Sequence, residues 1–307
     1  TESSRIEDTQ TQMEEAILPM EEIAEERRDD WREVTNYISA MHSAVEGLQD
    51  LPFSSRLLRG THATLMQSVR GEHKTPGEFR RSQNWIGGSN PGNARFVPPR
   101  HENVSSLMGD LDNFAHNADL HLPPLFKVAI MHYQFETIHP FLDGNGRIGR
   151  LMVPLYLVSQ GILKRPVLYL SDYLERNRDE YYDRLMRVRT ENSIDDWLLF
   201  FLDGLSETAE HGVKTFNEIL KFKNYWESSI AAWKPQSAAG LALFGSLFTR
   251  LWVNGKQVAQ IANVSLPTAY KLIDRFVAEG LLREITGAER GRLFVFDPYL
   301  KLFERSR

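Results

Sequence analysis

Residues 139–150 read His-Pro-Phe-Leu-Asp-Gly-Asn-Gly-Arg-Ile-Gly-Arg, so twelve positions hold an imidazole, a carboxylate, three glycines and two arginines. That composition handles anions. Gly144 and Gly146 flank Asn145 and let the backbone turn with several N–H groups facing one way. The apolar residues that follow (Leu151, Met152, Leu155, Tyr156) have helical spacing. A phosphate placed at this turn sits on a helix N-terminus, where unpaired N–H groups and the macrodipole favour negative charge. Arg147 and Arg150, three apart, share one face of that helix and can reach the same phosphate chain.

Two other readings of the same residues are weaker. Gly144-Asn145-Gly146-Arg147-Ile148-Gly149 satisfies the loose dinucleotide pattern, which requires a preceding strand. Leu125, Val128, Ala129, His132, Phe135 and Glu136 instead follow a 3.6-residue period after Pro123-Pro124, so a helix leads into the turn. His132, Glu136 and His139, at i, i+4 and i+7, resemble a metal-binding face, but His139 falls at the helix exit. Taken one at a time, a histidine near an apolar helix is a structural residue and an Asp-Gly pair is a turn. Their joint spacing argues otherwise.

The stretch resembles the Fic-family signature H-x-F-x-[D/E]-G-N-G-R-x-x-R and matches it at every specified position. The resemblance implies a mainly α-helical bundle whose members transfer part of a nucleotide, usually AMP from ATP, to a Ser, Thr or Tyr hydroxyl of a target protein. The residue chemistry agrees. In-line attack on phosphorus needs a base, a cation across the phosphate oxygens and donors for the leaving group. His139 is the motif's one side chain that can be a neutral base near pH 7. Asp143 suits Mg²⁺, which binds through one or two carboxylates plus substrate phosphates. Gly144, Asn145, Gly146 and Arg147 form the phosphate cradle, with Arg150 on the terminal phosphate, and Phe141 anchors the loop in the core.

The resemblance extends to other stretches. Ser3 and Glu7 fit the inhibitory motif [S/T]-x-x-x-E-[G/N], with Asp8 departing from it. In the family this glutamate pairs with the second signature arginine, here Arg150, and a carboxylate on that guanidinium competes with phosphate for the same donors. A helix cap at Ser3 is the plainer reading. Glu46 has His42 four residues before it, so its spacing fails and it reads as a helix end before Gly47. With the motif so near residue 1, the natural chain is expected to extend upstream.

Residues 71–100 lose helical periodicity and are rich in Gly, Pro, Asn and Ser. They predict two short extended pieces joined by a loop, or else an ordinary surface loop. The resemblance makes this a β-hairpin flap in which Ser82, Gln83, Asn84, Trp85, Ile86 and Gly87 dock the target by strand addition. It also places Tyr182 on the adenine ring, although Arg189 stands where the family often has Asn, and a packing role for the tyrosine stays open.

The chain of 307 residues is long enough for two domains on a prior of ~100–200 residues each. Scaffold helices are expected over 21–49 and 54–69, and further helices over 102–118, 123–138, from the signature to Gly161, 172–189 and 194–233, the last broken near Gly212. Lys234-Pro235 marks a boundary. Residues 1–70 read as inhibitory motif and scaffold, 71–233 as catalytic core with flap, and 235–307 as a winged helix-turn-helix: helix 257–262, turn 263–265, helix 266–279 and a wing tip at 287–291. That last part carries ten Lys plus Arg against six Asp plus Glu, a net of +4 within a chain of −5. Thr268, Lys271 and Arg275 are expected on the outer face of its second helix, leaving DNA contact or a homodimer open, with the small positive charge a weak phosphate footprint.

No apolar run reaches the ~18 residues of a membrane span, the first residues do not read as a signal peptide, and cysteine is absent, which excludes disulfides and thiolate metal sites. A soluble cytoplasmic protein is expected. The leading expectation is an Mg²⁺-dependent adenylyltransferase using ATP, restrained by Glu7. Self-modification, another donor, AMP removal and a DNA-binding regulator with a nucleotide-sensing domain remain alternatives.

Overall fold

The computed structural model describes residues 13–67, 74–287 and 291–305. Ser3 and Glu7 therefore lie outside the described residues. The chain divides into two compact units, one containing Ile23–Ala209 and the other Met13–Glu22 with Glu210–Arg307. Among the described residues no helix is long and apolar enough to cross a membrane.

In the first unit the helices are α2 (Arg28–Gly47), α3 (Ser55–Leu65), α4 (Val104–His116), α5 (Pro124–Ile138), α6 (Asn145–Ser159), α7 (Ser171–Arg176) and α8 (Arg178–Glu191), after a short α1 (Met13–Ile17) that belongs to the second unit. Helix α9 (Ile194–Ala231) starts in the first unit and ends in the second. It runs unbroken through Gly212, contrary to the sequence expectation. A single exposed glycine costs a helix only about 1 kcal/mol relative to alanine, too little to end one this long.

Two buried helices organise the unit. Helix α5 starts with Pro124, whose missing N–H costs nothing in the first turn, and it buries Val128, Ala129, Met131, His132, Phe135 and Ile138. Helix α6 packs against it and buries residues on every side from Ile148 to Leu157. The contrast between faces is weak in both, because α6 is buried nearly throughout and the exposed positions of α5 include the apolar Leu125 and Phe126. Helix α2 covers them with one apolar stripe, Val34, Tyr37, Met41 and Ala44. Helix α3 is capped by Ser54, whose hydroxyl accepts the Leu57 N–H.

The centre of this core is aromatic and polar at once. The His132 imidazole lies parallel to the Trp197 indole, 6.0 Å between centroids, with Tyr181 and Phe201 around it. His132 Nδ1–H donates to the Gly149 carbonyl (3.0 Å) and Nε2 accepts from the Tyr181 hydroxyl (3.0 Å), so the ring is neutral with its proton on Nδ1. Trp197 Nε1 donates to the Ala129 carbonyl at 2.9 Å. Both nitrogens of His132 are thus engaged, and the His132–Glu136–His139 face does not form a metal site.

In the second unit, α10 (Ser237–Leu247), β1 (Trp252–Asn254), α11 (Gly255–Ile261), α12 (Leu266–Ala278), β2 (Arg283–Glu284), β3 (Leu293–Val295) and α13 (Asp297–Arg305) follow in order. The antiparallel sheet has the order β1-β3-β2, with Val253 opposite Phe294. Asn254 and Gln257 form a reciprocal capping box at the start of α11. Leu243, Phe244, Ile273, Phe276, Phe294 and Phe296 fill the core. Arg275, expected on an outer face, instead stacks its guanidinium 4.1 Å from the Trp233 ring centroid and donates to Gln236 (3.3 Å). Lys271 and Asp274 are exposed, and Thr268 shares a hydrogen bond with Ser265.

Trp197→Ala should cost about 3–5 kcal/mol, because it empties a fully buried site. Trp197→Phe keeps most of the volume but strands the Ala129 carbonyl, and should cost about 1–3 kcal/mol. Urea unfolding followed by circular dichroism checks the order of the two.

Candidate active site

The signature loop joins α5 to α6, and its first residue takes an uncommon conformation. His139 sits at φ 51°, ψ 61°, in the left-handed region, as the C-cap of α5, with its N–H on the Phe135 carbonyl (2.9 Å). For a residue with a Cβ this costs roughly 1–2 kcal/mol and persists only where the surroundings over-determine it. Arg80 supplies much of that constraint. Its backbone N–H donates to the Pro140 carbonyl (2.8 Å), its Nε to the His139 carbonyl (3.0 Å), and Nη2 to the carbonyls of Ile138 (3.3 Å) and Pro99. Asn84 Nδ2 adds a bond to the Phe141 carbonyl at 3.1 Å.

Asn145, the first residue of α6, closes the other end. Its Oδ1 accepts the Phe141 N–H (2.8 Å) and its Nδ2 donates to the Phe141 carbonyl (2.9 Å). The side chain thus ties the loop together, leaving the residue's backbone N–H, at the start of the helix, for an anion. Phe141 is fully buried and stacks on the His62 imidazole, 3.8 Å between centroids and 5° from parallel. His62 Nε2–H donates to the Asp143 carbonyl (3.1 Å) and Nδ1 accepts the Gly77 N–H (2.8 Å), which fixes its neutral tautomer.

Gly144 caps α6 at φ 74°, where a Cβ would also meet Met66 Sδ at 2.9 Å. Beyond it lie the first N–H groups of the helix, those of Asn145 and Gly146, which a helix leaves without an acceptor of its own. Arg147 and Arg150 are buried on the first two turns. The Asp143 side chain is 46% exposed, accepts the Gly144 N–H on Oδ1 (2.6 Å) and lies 3.8 Å from Arg147. Cation, N–H groups and carboxylate therefore meet at one helix start.

The His139 ring is sealed on one side: Nδ1 is buried against the last turn of α5, with the Glu136 carboxylate 3.9 Å away and the Glu136 backbone favouring its protonated form. Burial, and then the Arg80 guanidinium, lower its pKa from 6.5 to about 4. It is neutral at pH 7, and Nε2 is the nitrogen left for an incoming group. His62 and His132 are also held near 4, each by burial first.

The flap residues pair less than the sequence suggests. Ile86 and Phe96 form a single antiparallel bridge, with N–H···O distances of 2.9 and 3.2 Å. The turn between them is closed by the Asn93 side chain, which accepts from the N–H groups of Ser89 and Asn90. Gln83 donates to the Pro98 carbonyl (2.9 Å), the Ser82 carbonyl accepts from Arg80, and Trp85 is exposed beside Ile86 and Gly87. Tyr182, on α8, packs on Tyr181 (5.1 Å) and carries the Arg95 guanidinium over its ring (5.5 Å).

The structure thus brings His139, Asp143, Gly144, Asn145, Gly146, Arg147 and Arg150 to one junction, with Asn84 holding the loop from the flap. Arg80 and His62 are positioning residues that sequence reasoning missed. Arg80 stands in an Arg-Arg pair of a region read as a loop, and His62 lies on a scaffold helix between Thr61 and Ala63, so neither carried a spacing signal.

Residues 52–157 match the Fic/DOC family and residues 1–46 the Fic/DOC family N-terminal region. Both matches are to the Fic/DOC family, and the longer one spans the whole junction at 139–150. The chain is 34% identical over 135 residues to a protein adenylyltransferase Fic of Aedes aegypti, and 31% identical over 137 residues to that of Drosophila melanogaster. Each alignment takes in 44% of this chain but only 24% and 25% of those relatives. Among solved structures, a Fic family protein from Desulfovibrio desulfuricans superposes with a TM-score of 0.59 at 20% identity, covering 96% of this chain and 84% of that one. A Fic domain containing signaling protein from Bacteroides thetaiotaomicron gives 0.55 at 21% identity, over 69% and 83%. At these identities the likeness is one of fold.

The three depressed histidines set an acid limit on stability. The unfolded chain binds more protons than the folded one between about pH 4 and 6.5, so their contribution is complete above pH 6.5 and is lost as pH falls through that window. Each can add up to about 1.4 kcal/mol per pH unit to the slope. Urea midpoints at pH 7.5, 6 and 5 should fall in that order, and the His62→Gln variant should show a shallower decline.

Proposed function

We propose that this chain is a protein adenylyltransferase that moves AMP from ATP to a hydroxyl side chain of a target protein. The observation that carries the proposal is His139: a half-buried, neutral imidazole held in a left-handed turn at the entrance to the loop that leads into α6. Curated relatives bearing the name protein adenylyltransferase support it.

The target hydroxyl gives its proton to His139 Nε2 while its oxygen attacks the α-phosphorus, and the bond to pyrophosphate breaks. The N–H groups of Asn145 and Gly146 and the guanidiniums of Arg147 and Arg150 receive the phosphates, acting where negative charge shifts onto the leaving group. Asp143, the exposed carboxylate at the same junction, fits a Mg²⁺ ion that completes its shell with water and phosphate. Among the described residues no group of three or more carboxylates and imidazoles is gathered for a metal, so the nucleotide itself must supply ligands. That ion would neutralise phosphate charge.

Tyr182 takes the adenine ring by stacking, and Ser82–Gly87 present the target segment by strand addition beside the Ile86 bridge. Glu7 pairs with Arg150 and keeps the terminal phosphate from its place, with Ser3 starting that inhibitory segment. The element order of the second unit, with α11, α12 and an antiparallel sheet closing on β1, supports a winged helix.

A base with a pKa near 4 is always in the right form at pH 7 but weak. Phosphate charge bound at α6 counters the Arg80 cation and raises that pKa toward the working pH. The acid limb of kcat should therefore lie above that of kcat/KM, which should sit near pH 4–5, below the ordinary histidine value.

The direct test incubates labelled ATP and Mg²⁺ with cell lysate and compares wild type, Glu7→Gly and Glu7→Gly/His139→Ala by gel and intact mass. An AMP adduct on protein should rise with Glu7→Gly and fall by at least ~100-fold when the base is removed. Label transfer that survives the loss of His139 would sink the mechanism.

A further inference from the structure

The returning arm of the flap is gripped by α8 at two places. Arg189 lays its guanidinium 3.7 Å from the centroid of the Phe96 ring, while Arg95 lies over Tyr182 at 5.5 Å. Tyr182 and Arg189 are seven residues apart, two turns along one face of α8. Arg95 and Phe96 are adjacent in the flap, and the N–H groups of both donate to the Ile86 carbonyl (2.9 and 3.2 Å). The cations alternate, one from each element.

Arg189 has a second set of contacts. Its Nε and Nη2 donate to the Thr137 hydroxyl at 3.3 and 3.2 Å, and Thr137 lies two residues before His139 in the last turn of α5. A planar guanidinium can stack on a ring with its face while donating from its edge, and a lysine cannot. One side chain therefore bridges the flap, α8 and the end of the helix that delivers the imidazole. With Asn84 bonded to the Phe141 carbonyl, the first arm of the flap is tied to the same loop.

We propose that Arg189 is a positioning residue that clasps the flap against the end of α5, so that a target segment docked on the flap is held in fixed register with His139. Residues 82–87 carry the docking edge, and among the described residues the backbone bonds between the two arms all converge on Ile86. A hairpin with one bridge does not hold its own shape in water. The grip of α8 on Arg95 and Phe96 supplies the missing rigidity. In this arrangement the Arg189 guanidinium faces Phe96 of the flap and Thr137 and Tyr133 of α5, which makes it a link between flap and helix and not a reader of the nucleobase. The proposal rests on the transferase reading for its coupling to catalysis, while the clasp itself is testable without activity.

The experiment compares wild type, Arg189→Gln and Arg189→Lys, all in the Glu7→Gly background. Hydrogen exchange measured by mass spectrometry reports the flap amides of Ile86, Arg95 and Phe96, with core amides of α6 as the control for global stability. Arg189→Gln should speed flap exchange about fivefold to tenfold, in line with the loss of a stacked cation. Core exchange should stay as in wild type. In transfer assays the same variant should raise the KM for the target protein at least about fivefold while the KM for ATP and the preference for ATP over GTP stay unchanged; a loosened docking surface weakens uniform binding of the target. Arg189→Lys should recover only part of the flap protection. It should restore the acid limb of the rate profile, which Arg189→Gln moves upward, because it keeps the charge near His139.

Unchanged flap exchange in Arg189→Gln would overturn the clasp. A changed ATP KM or base preference with an unchanged target KM would overturn the positioning role and assign Arg189 to the nucleotide. If wild type transfers no label while Arg189→Gln still loosens the flap, the clasp stands and the transferase reading falls.

Discussion

The structure depends on closing the turn between α5 and α6 without water. Both helices are buried, so the six residues between them must satisfy their backbone polar groups with protein partners. The donors come from three directions: Arg80 covers the carbonyls of Ile138, His139 and Pro140, Asn145 brackets both backbone groups of Phe141, and His62 covers the carbonyl of Asp143. Pro140 removes one N–H that would otherwise need an acceptor. The left-handed turn at His139 is the geometric result, and it ends α5 and starts the loop that leads to α6.

The same enclosure sets the electrostatics. Arg80 is buried among carbonyls, whose dipoles partly replace its water, and burial still lowers its pKa. Arg147, Arg150 and Arg189 add three more cations with little solvent around them. In such surroundings a protonated histidine is doubly disfavoured, by lost hydration and by like charge, and all three core histidines stay neutral. Neutrality is structural for two of them. His62 and His132 each use one nitrogen as donor and the other as acceptor, and protonation would break the accepting bond. For His139 alone a nitrogen remains that no loop contact occupies.

What could be read from the sequence followed from how local each feature is. The junction at 139–150 is contiguous, so residue types and spacing sufficed, and helices α2, α5 and α6 announced themselves by apolar period or flanking Pro and Gly. Asn145 was legible as part of the junction, but its side chain closes the loop on Phe141, a distinction that spacing does not carry. Arg80 and His62 act across 59 and 81 residues of chain, and single-sequence patterns hold no record of such contacts. The break expected in α9 at Gly212 did not appear because one exposed glycine weakens a long helix by too little to end it. The hairpin expected within 71–100 proved to be one bridge, since Gly, Pro and Asn signal where a chain turns and not how many residues pair. The inhibitory reading of Glu7 falls outside the described residues.

The two units differ in how far their chemistry can be argued, and the reason is physical. In the first, polar groups are buried, so each must be explained by a partner, and the explanation narrows what the site can do. Fold alone would not have done so. In the second, the polar residues of α12 face water or neighbours of their own unit. Arg275, the cation best placed for a phosphate, stacks on Trp233, and Asp274 sits exposed beside Lys271. A surface that neutralises nucleic acid needs several cations presented together, because affinity scales with the number of phosphates paired. Here one of the expected cations is spent on an indole ring and another has a carboxylate three residues along the same helix, so the three-stranded sheet and its helices are argued as architecture, while the junction of α5 and α6 is argued as chemistry.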